Sequence, residues 1–242
     1  MSTTTNLPTP KRVLAIAAHP DDIEFECGAT LAKWAAAGAV VNHLICTDGS
    51  KGTWDENADT VALVDIRKDE QREAAKRLGA TGEVYFLGAV DGELTAELAW
   101  RREVARVIRI TRPDVVLGHD PWKRWRLHPD HRNAGLLAVE GIVAARDPFF
   151  FPDLELERHR PDTLLLFESE EFNHIEDVEG FTEPKIYALL AHESQFETTM
   201  VITDDPDSET AAFHDREMTQ MAAMAGDTGF SVAEAFHRID EL

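Results

Sequence analysis

Two short clusters place ionisable side chains at spacings that suit chemistry. In the first, "HPDD" (19–22), a histidine and two adjacent carboxylates end the apolar run Val13 to Ala18. The second, "HPDH" (128–131), echoes it far along the chain. His19, Asp22 and one histidine of the second cluster would supply two imidazoles and a carboxylate. That set suits a catalytic Zn²⁺ with a fourth position open for water, and it also accommodates Fe²⁺ or Co²⁺. Adjacent side chains diverge, so Asp21 and Asp22 do not both bind the metal. One is a ligand and the other is free to take a proton from water; the remaining histidine can protonate a leaving amine. An acid and a base flanking an electrophilic metal make a hydrolase for amides or esters.

Each cluster alone has a plainer reading. "HPDD" can be a turn with an Asp cap before a helix. "HPDH" can be a helix start with Pro129 in the first helical position and Asp130 in the positive first turn. Their co-occurrence at the ends of two strands argues for chemistry. The glycines of "TDGSKGT" (47–53) serve a turn or a substrate contact. Cys27 reads as a core residue, Phe149 to Phe151 as core or interface, and His43 and His214 as structural.

The elements that must position the clusters follow from the apolar pattern. Strand-length runs at 12–18, 40–47, 83–88, 113–120 and 162–169 alternate with helical patterns at 28–39, 60–79, 94–111, 130–146, 182–196 and 208–224. "SVAEAFHRI" (231–239) has the spacing of a short last helix, and 147–161 reads as a loop or arm. Alternation of this kind predicts an α/β, Rossmann-like fold, with a mostly parallel sheet and helices on both faces. Ligands in such sheets bind at the carboxyl edge of the strands, where both clusters fall. Residues 1–11 read as a flexible leader without an apolar stretch, and 12–242 as a single domain.

Composition narrows the partners. The 242 residues carry a formal charge of −21, which disfavours nucleic acid and anionic membranes. No apolar run approaches the ~20 residues needed to cross a bilayer. The two cysteines, Cys27 and Cys46, have no CxxC partner, so a reducing, cytoplasmic setting is expected. A small-molecule substrate is expected, and a homo-oligomer is compatible with the sequence. A nucleotide or methyl-donor binder would need a glycine-rich loop after the first strand, where Asp21 and Asp22 would repel phosphate. A non-catalytic metal-binding protein would keep His19 and His131 but would not need Asp21 as a free base.

The motifs resemble a known family, the LmbE-like or PIG-L N-acetylglucosaminyl deacetylases. "AHPDDIE" (18–24) and "HPDHR" (128–132) carry the resemblance, with weaker echoes in "IRKDEQREAAKRLGA" (66–80), "DGEL" (91–94), "KIYALLAHESQ" (185–195) and "AEAFHR" (233–238). It implies a Rossmann-like fold with one Zn²⁺ per chain, held by His19, Asp22 and His131. It implies Asp21 as general base, His128 as protonating or oxyanion-stabilising histidine, and Asp130 as the group orienting His128. Arg67, Asp91 and His192 match positions near the substrate pocket. The implied reaction removes an N-acetyl group from an amino sugar or small glycosylated metabolite, the alternative being an amidase on another small amide, such as a thiol conjugate. Two departures stand out. Glu26 and Ala29 occupy places where the family commonly has glycine. Arg126 stands where the mycothiol-pathway deacetylases have an aromatic hydroxyl. The basic, aromatic segment Trp122 to Arg126 either binds an anionic substrate or pairs with nearby carboxylates.

Overall fold

The computed structural model describes residues 3–242. In chain order the elements are β1 (Thr4–Thr5), β2 (Arg12–Ala17), α1 (Asp22–Ala36), β3 (Val40–Thr47), α2 (Thr60–Arg77), β4 (Val84–Ala89), α3 (Leu98–Thr111), β5 (Val115–His119), α4 (Pro129–Arg146), β6 (Thr163–Phe167), β7 (His174–Asp177), α5 (Thr182–Leu189), α6 (Pro206–Ala225) and β8 (Ala233–Asp240). The strands form one sheet in the order β1-β7-β8-β6-β5-β2-β3-β4. All pairings are parallel except those of β8, which runs antiparallel to β6 and β7.

The pleat sorts β2 between two cores. Val13, Ala15 and Ala17 pack with Leu31 and Trp34 of α1 on one face; Leu14 and Ile16 pack with Val104 and Ile108 of α3 and Leu137 of α4 on the other. A strand covered on both faces reads as a continuous apolar run, which is why β2 was visible in the sequence. Cys27 and Cys46 lie in these cores as free thiols.

The structure corrects several sequence expectations. The segment 231–239 is strand β8 and not a helix. Its apolar residues have helical spacing, but pairing with β6 and β7 decides its conformation. The helical pattern at 182–196 ends at Leu189 and continues as a 3₁₀ turn (Glu193–Gln195) and a π turn (Phe196–Met200). Helix α1 starts at Asp22, six residues before the expected start at Gly28, and breaks at Cys27. Strand β7 was not anticipated. Within the stretch expected as a leader, Thr4–Thr5 pair with β7, while Met1 and Ser2 of that stretch lie outside the described residues.

Candidate active site

The carboxyl ends of β2 and β5, neighbours in the sheet, bring the two clusters together. His19 to Asp22 follow β2 and open α1; His119 ends β5, and His128 caps α4 with Pro129 in the first turn. The plain helix-start reading of "HPDH" therefore holds. His19, Asp21, Asp22, Arg67, His128 and His131 all line one pocket of about 500 Å³.

The three expected ligands fall in two overlapping groups near enough to share an ion, His19 with His128 and His131, and Asp22 with His119 and His131. Asp22 reaches His19 Nδ1 at 3.4 Å through Oδ2 and His131 Nε2 at 3.4 Å through Oδ1. His19, His128 and His131 each place a ring nitrogen within 4.8 Å of the others. Burial opposes charge on His19, but Asp130, Asp22 and Asp91 outweigh it and hold the imidazole well above its ordinary range. Burial likewise opposes ionisation of Asp22, yet His131, His119 and His19 hold it well below its ordinary range. His131 is raised by Asp22 and Glu168 against burial. The cluster is therefore built to hold positive charge, and the buried His19 Nε2 lacks an aligned hydrogen-bond partner although Asp91 and Asp130 oxygens lie 3.2 and 3.3 Å away. Imidazoles with a carboxylate, and an unspent ring nitrogen among them, fit a divalent transition metal.

Asp21 has an unusual backbone, φ +105°, in a region that L residues rarely enter. Its N–H donates to Gln71 Oε1 at 3.0 Å, and its Oδ2 lies 3.5 Å from Arg67 Nη2. Burial pushes its carboxyl up to about 6, with Arg67 pulling the other way. Arg67 is itself buried and donates to the Gly49 and Pro20 carbonyls. The glycines of "TDGSKGT" make room for it: a Cβ at Gly52 would lie 2.2 Å from Arg67 Nη1.

His128 is exposed to the pocket, and its Nδ1 accepts from the Asp130 N–H at 3.3 Å. Burial lowers its pKa, as do His19 and His131. The Asp130 carboxylate is occupied elsewhere, accepting from Gly92 N at 2.6 Å and Leu94 N at 3.1 Å. The contact it makes to His128 thus comes from the backbone and not from the carboxylate. Asp91 lines the pocket and accepts from the Lys51 N–H. His192 is fully buried beside Glu24, 3.4 Å from Oε2, and lines no part of the pocket; Gln195, carried past it by the 3₁₀ turn, does.

Several contributors escaped the sequence reading. His119 Nε2 lies 3.2 Å from Asp22 Oδ2 and its Nδ1 2.9 Å from Glu168 Oε2, and the ring stacks on His131 at 4.3 Å. Its place as the last residue of the strand beside β2 was the available signal. Glu168, just past β6, also pairs with Lys123 and Arg126. Of the two readings of the basic segment, pairing with carboxylates is the one the structure bears out for these two residues. Below Asp21, Gln71 Nε2 reaches Glu24 Oε1 at 2.8 Å and His43 Nδ1 at 3.2 Å, all three residues being fully buried.

Residues 14–142 match the model of the GlcNAc-PI de-N-acetylase family, PIG-L. The diacetylchitobiose deacetylase of Thermococcus kodakarensis is 36% identical over 189 residues, covering 77% of this chain and 70% of that protein. The chain belongs to the PIG-L deacetylase family. Another member, the 1D-myo-inositol 2-acetamido-2-deoxy-α-D-glucopyranoside deacetylase of Streptomyces scabiei, is 34% identical over 169 residues, covering 59% of this chain and 51% of that protein. The chain thus spans about half the length of that relative. Among solved structures, N,N′-diacetylchitobiose deacetylase from Pyrococcus horikoshii, complexed with its inhibitor MPG, superposes with a TM-score of 0.85 at 31% identity, covering 96% of this chain and 84% of that one. The family is one of amide hydrolases, and the His/Asp cluster is this member's candidate metal site. Among the described residues, no helix is long and apolar enough to cross a membrane.

Proposed function

We propose that this deacetylase hydrolyses the acetamide of an amino sugar or a small amino-sugar conjugate, releasing acetate and a free amine. The observation that carries the reading is the placement of the Asp21 carboxylate and the His128 imidazole in one pocket with His19, Asp22 and His131. We assign those last three as ligands of one Zn²⁺. His119 stays outside the set because its Nε2 accepts from the Ala18 N–H at 3.3 Å, and Asp130 because its carboxylate accepts from the Gly92 and Leu94 N–H groups. Bound there, the metal would supply Lewis acidity toward water and carbonyl.

The chain's own groups do the rest. Asp21, with a carboxyl raised by burial, is suited to accept a proton from the attacking water near neutral pH and to pass it to the departing nitrogen as the C–N bond breaks. Burial and the neighbouring His19 and His131 favour the neutral form of His128, and the Asp130 N–H occupies its Nδ1. Its proton therefore resides on Nε2, which is free to donate to the carbonyl oxygen as charge develops there. Arg67 lines the pocket 3.5 Å from the Asp21 carboxylate. Trp54, 74% exposed at the pocket, offers an apolar face for a sugar ring.

Acetate release from N,N′-diacetylchitobiose, N-acetylglucosamine and N-acetylglucosaminyl-inositol, by protein loaded with Zn²⁺ and by chelator-treated protein, tests the reading. Metal-dependent acetate release supports it. An absence of release from all acetamido sugars, with release from a non-sugar amide, overturns the sugar assignment.

A further inference from the structure

We propose that Glu26 and Glu217 form a subsite for a primary ammonium group carried by the substrate beside the acetamide being cleaved, so that the preferred substrate is an amino-sugar oligomer already bearing a free amine. The inference rests on the deacetylase reading above and names a substrate class within it.

Glu26 stands at a place the sequence marks as unusual, and it lies just before the break in α1 at Cys27. The half-buried side chain lines the catalytic pocket and also a second cavity of about 430 Å³ beside it. Phe25 lines both as well, so the two spaces share a wall. No hydrogen bond or ion pair engages the Glu26 carboxylate among the described residues. Glu217 of α6 faces the second cavity with 2% exposure. It accepts no hydrogen bond from any described residue, and its nearest cation, Arg216 Nε, is 4.0 Å from Oε1.

The other charges around the cavity are already committed. Lys185 is held by the Phe25 carbonyl and by Glu234 at 2.9 Å; Lys123 is held by Glu168 at 3.3 Å. Glu234 further accepts from the Ala29 and Thr30 N–H groups. What remains unspent is therefore negative. Burial raises both carboxyls, with Glu168 and Asp22 adding to the rise at Glu26 and Lys185 opposing it at both, and an arriving cation would relieve what remains.

The geometry suits an organic ammonium and not a bare metal ion. Among the described residues, no group of three or more His/Cys/Asp/Glu side chains close enough to converge on one ion includes Glu26 or Glu217. The same cavity presents Phe25, Met221 and Met224, surfaces that suit the C–H faces of a sugar ring. A charge-assisted hydrogen bond to a desolvated carboxylate is worth about 1.5–3 kcal/mol, roughly 10-fold or more in discrimination.

The test compares kcat/KM of the Zn²⁺-loaded protein on N,N′-diacetylchitobiose with that on its two singly deacetylated forms. At least one amine-bearing form should be favoured by about 10-fold, and Glu26→Gln and Glu217→Gln should each bring that ratio toward one. Equal ratios in wild type and both variants, or a preference for the fully acetylated sugar, overturn the proposal. If Glu217→Gln does not fold by circular dichroism, Glu26→Gln carries the comparison. If no acetamido sugar is hydrolysed, the deacetylase reading fails by itself, and calorimetry with glucosamine still decides the subsite. Binding by wild type that Glu26→Gln weakens supports an ammonium site, and no binding by wild type removes it.

Discussion

The backbone N–H of Asp21, in the turn before α1, is hydrogen-bonded to Gln71 Oε1 of α2 at 3.0 Å. This bond anchors a residue at φ +105°, a conformation that costs on the order of 1–3 kcal/mol. Gln71 is in turn fixed by Glu24 and His43, so the proposed base is oriented by a buried polar network. Gln71→Ala should destabilise the fold by about 1–3 kcal/mol, the cost of an unsatisfied buried donor. It should also lower kcat about 10-fold or more with little change in KM, since the base would be misplaced. Denaturant titration and steady-state kinetics check both; a normal kcat in a destabilised variant would confine Gln71 to a structural role.

Asp21→Asn should keep metal content near normal and reduce deacetylation by at least about 10²-fold. Its effect on stability has a defined sign. The folded carboxyl sits near 6, above its unfolded value, so the native state binds the extra proton. That contribution is full below pH ~4 and is lost as pH rises through about 6. The metal-free Asn variant should therefore melt above wild type at pH 8 and gain nothing at pH 4. Equal melting temperatures at pH 8 would mean that Asp21 ionises without cost.

His131→Ala and His19→Ala should abolish stoichiometric Zn²⁺ binding, as read by metal analysis after dialysis. His119→Ala should weaken it about 10–100-fold without abolishing it, because His119 holds the ligand Asp22 and not the ion. Full metal content in His131→Ala would remove that residue from the ligand set. Complete loss in His119→Ala would place His119 within it.

Glu168→Gln leaves His119, Lys123 and Arg126 without their shared carboxylate. Removing one partner from a largely buried ionic network costs about 3 kcal/mol, and a comparable loss is expected in chemical denaturation. Burial opposes the charge on Glu168, but His119, His131 and Arg126 hold its carboxyl far below the ordinary range. Its stabilisation is thus present above the unfolded value, about 4.5, and fades as pH falls below that. The difference between wild type and variant should be largest near pH 7 and shrink on acidification. A difference independent of pH would point to packing in place of charge.

The sequence by itself determined the alternation of strands and helices, the carboxyl-edge location of both motifs, and the residue types of the proposed site. These are local properties. A strand buried on both faces is a continuous apolar run, as in Val13 to Ala17, and a motif such as "HPDD" announces itself by its density of ionisable groups. Tertiary structure alone decided the rest. Strand β8 has a pattern compatible with a helix, and only its place between β6 and β7 makes it a strand. His119 and Glu168 are single polar residues at strand ends, unremarkable until parallel pairing of β5 with both β2 and β6 sets them beside Asp22 and His131. His192 matched a substrate position by motif, yet the end of α5 at Leu189 buries it against Glu24 and sends Gln195 to the pocket instead. Glu26 was visible as a departure from glycine, but only the packing of α6 across the same cavity supplies Glu217 to face it. Residues far apart in sequence share a site because sheet pairing and helix packing close the distance, and no local pattern encodes which ends will meet.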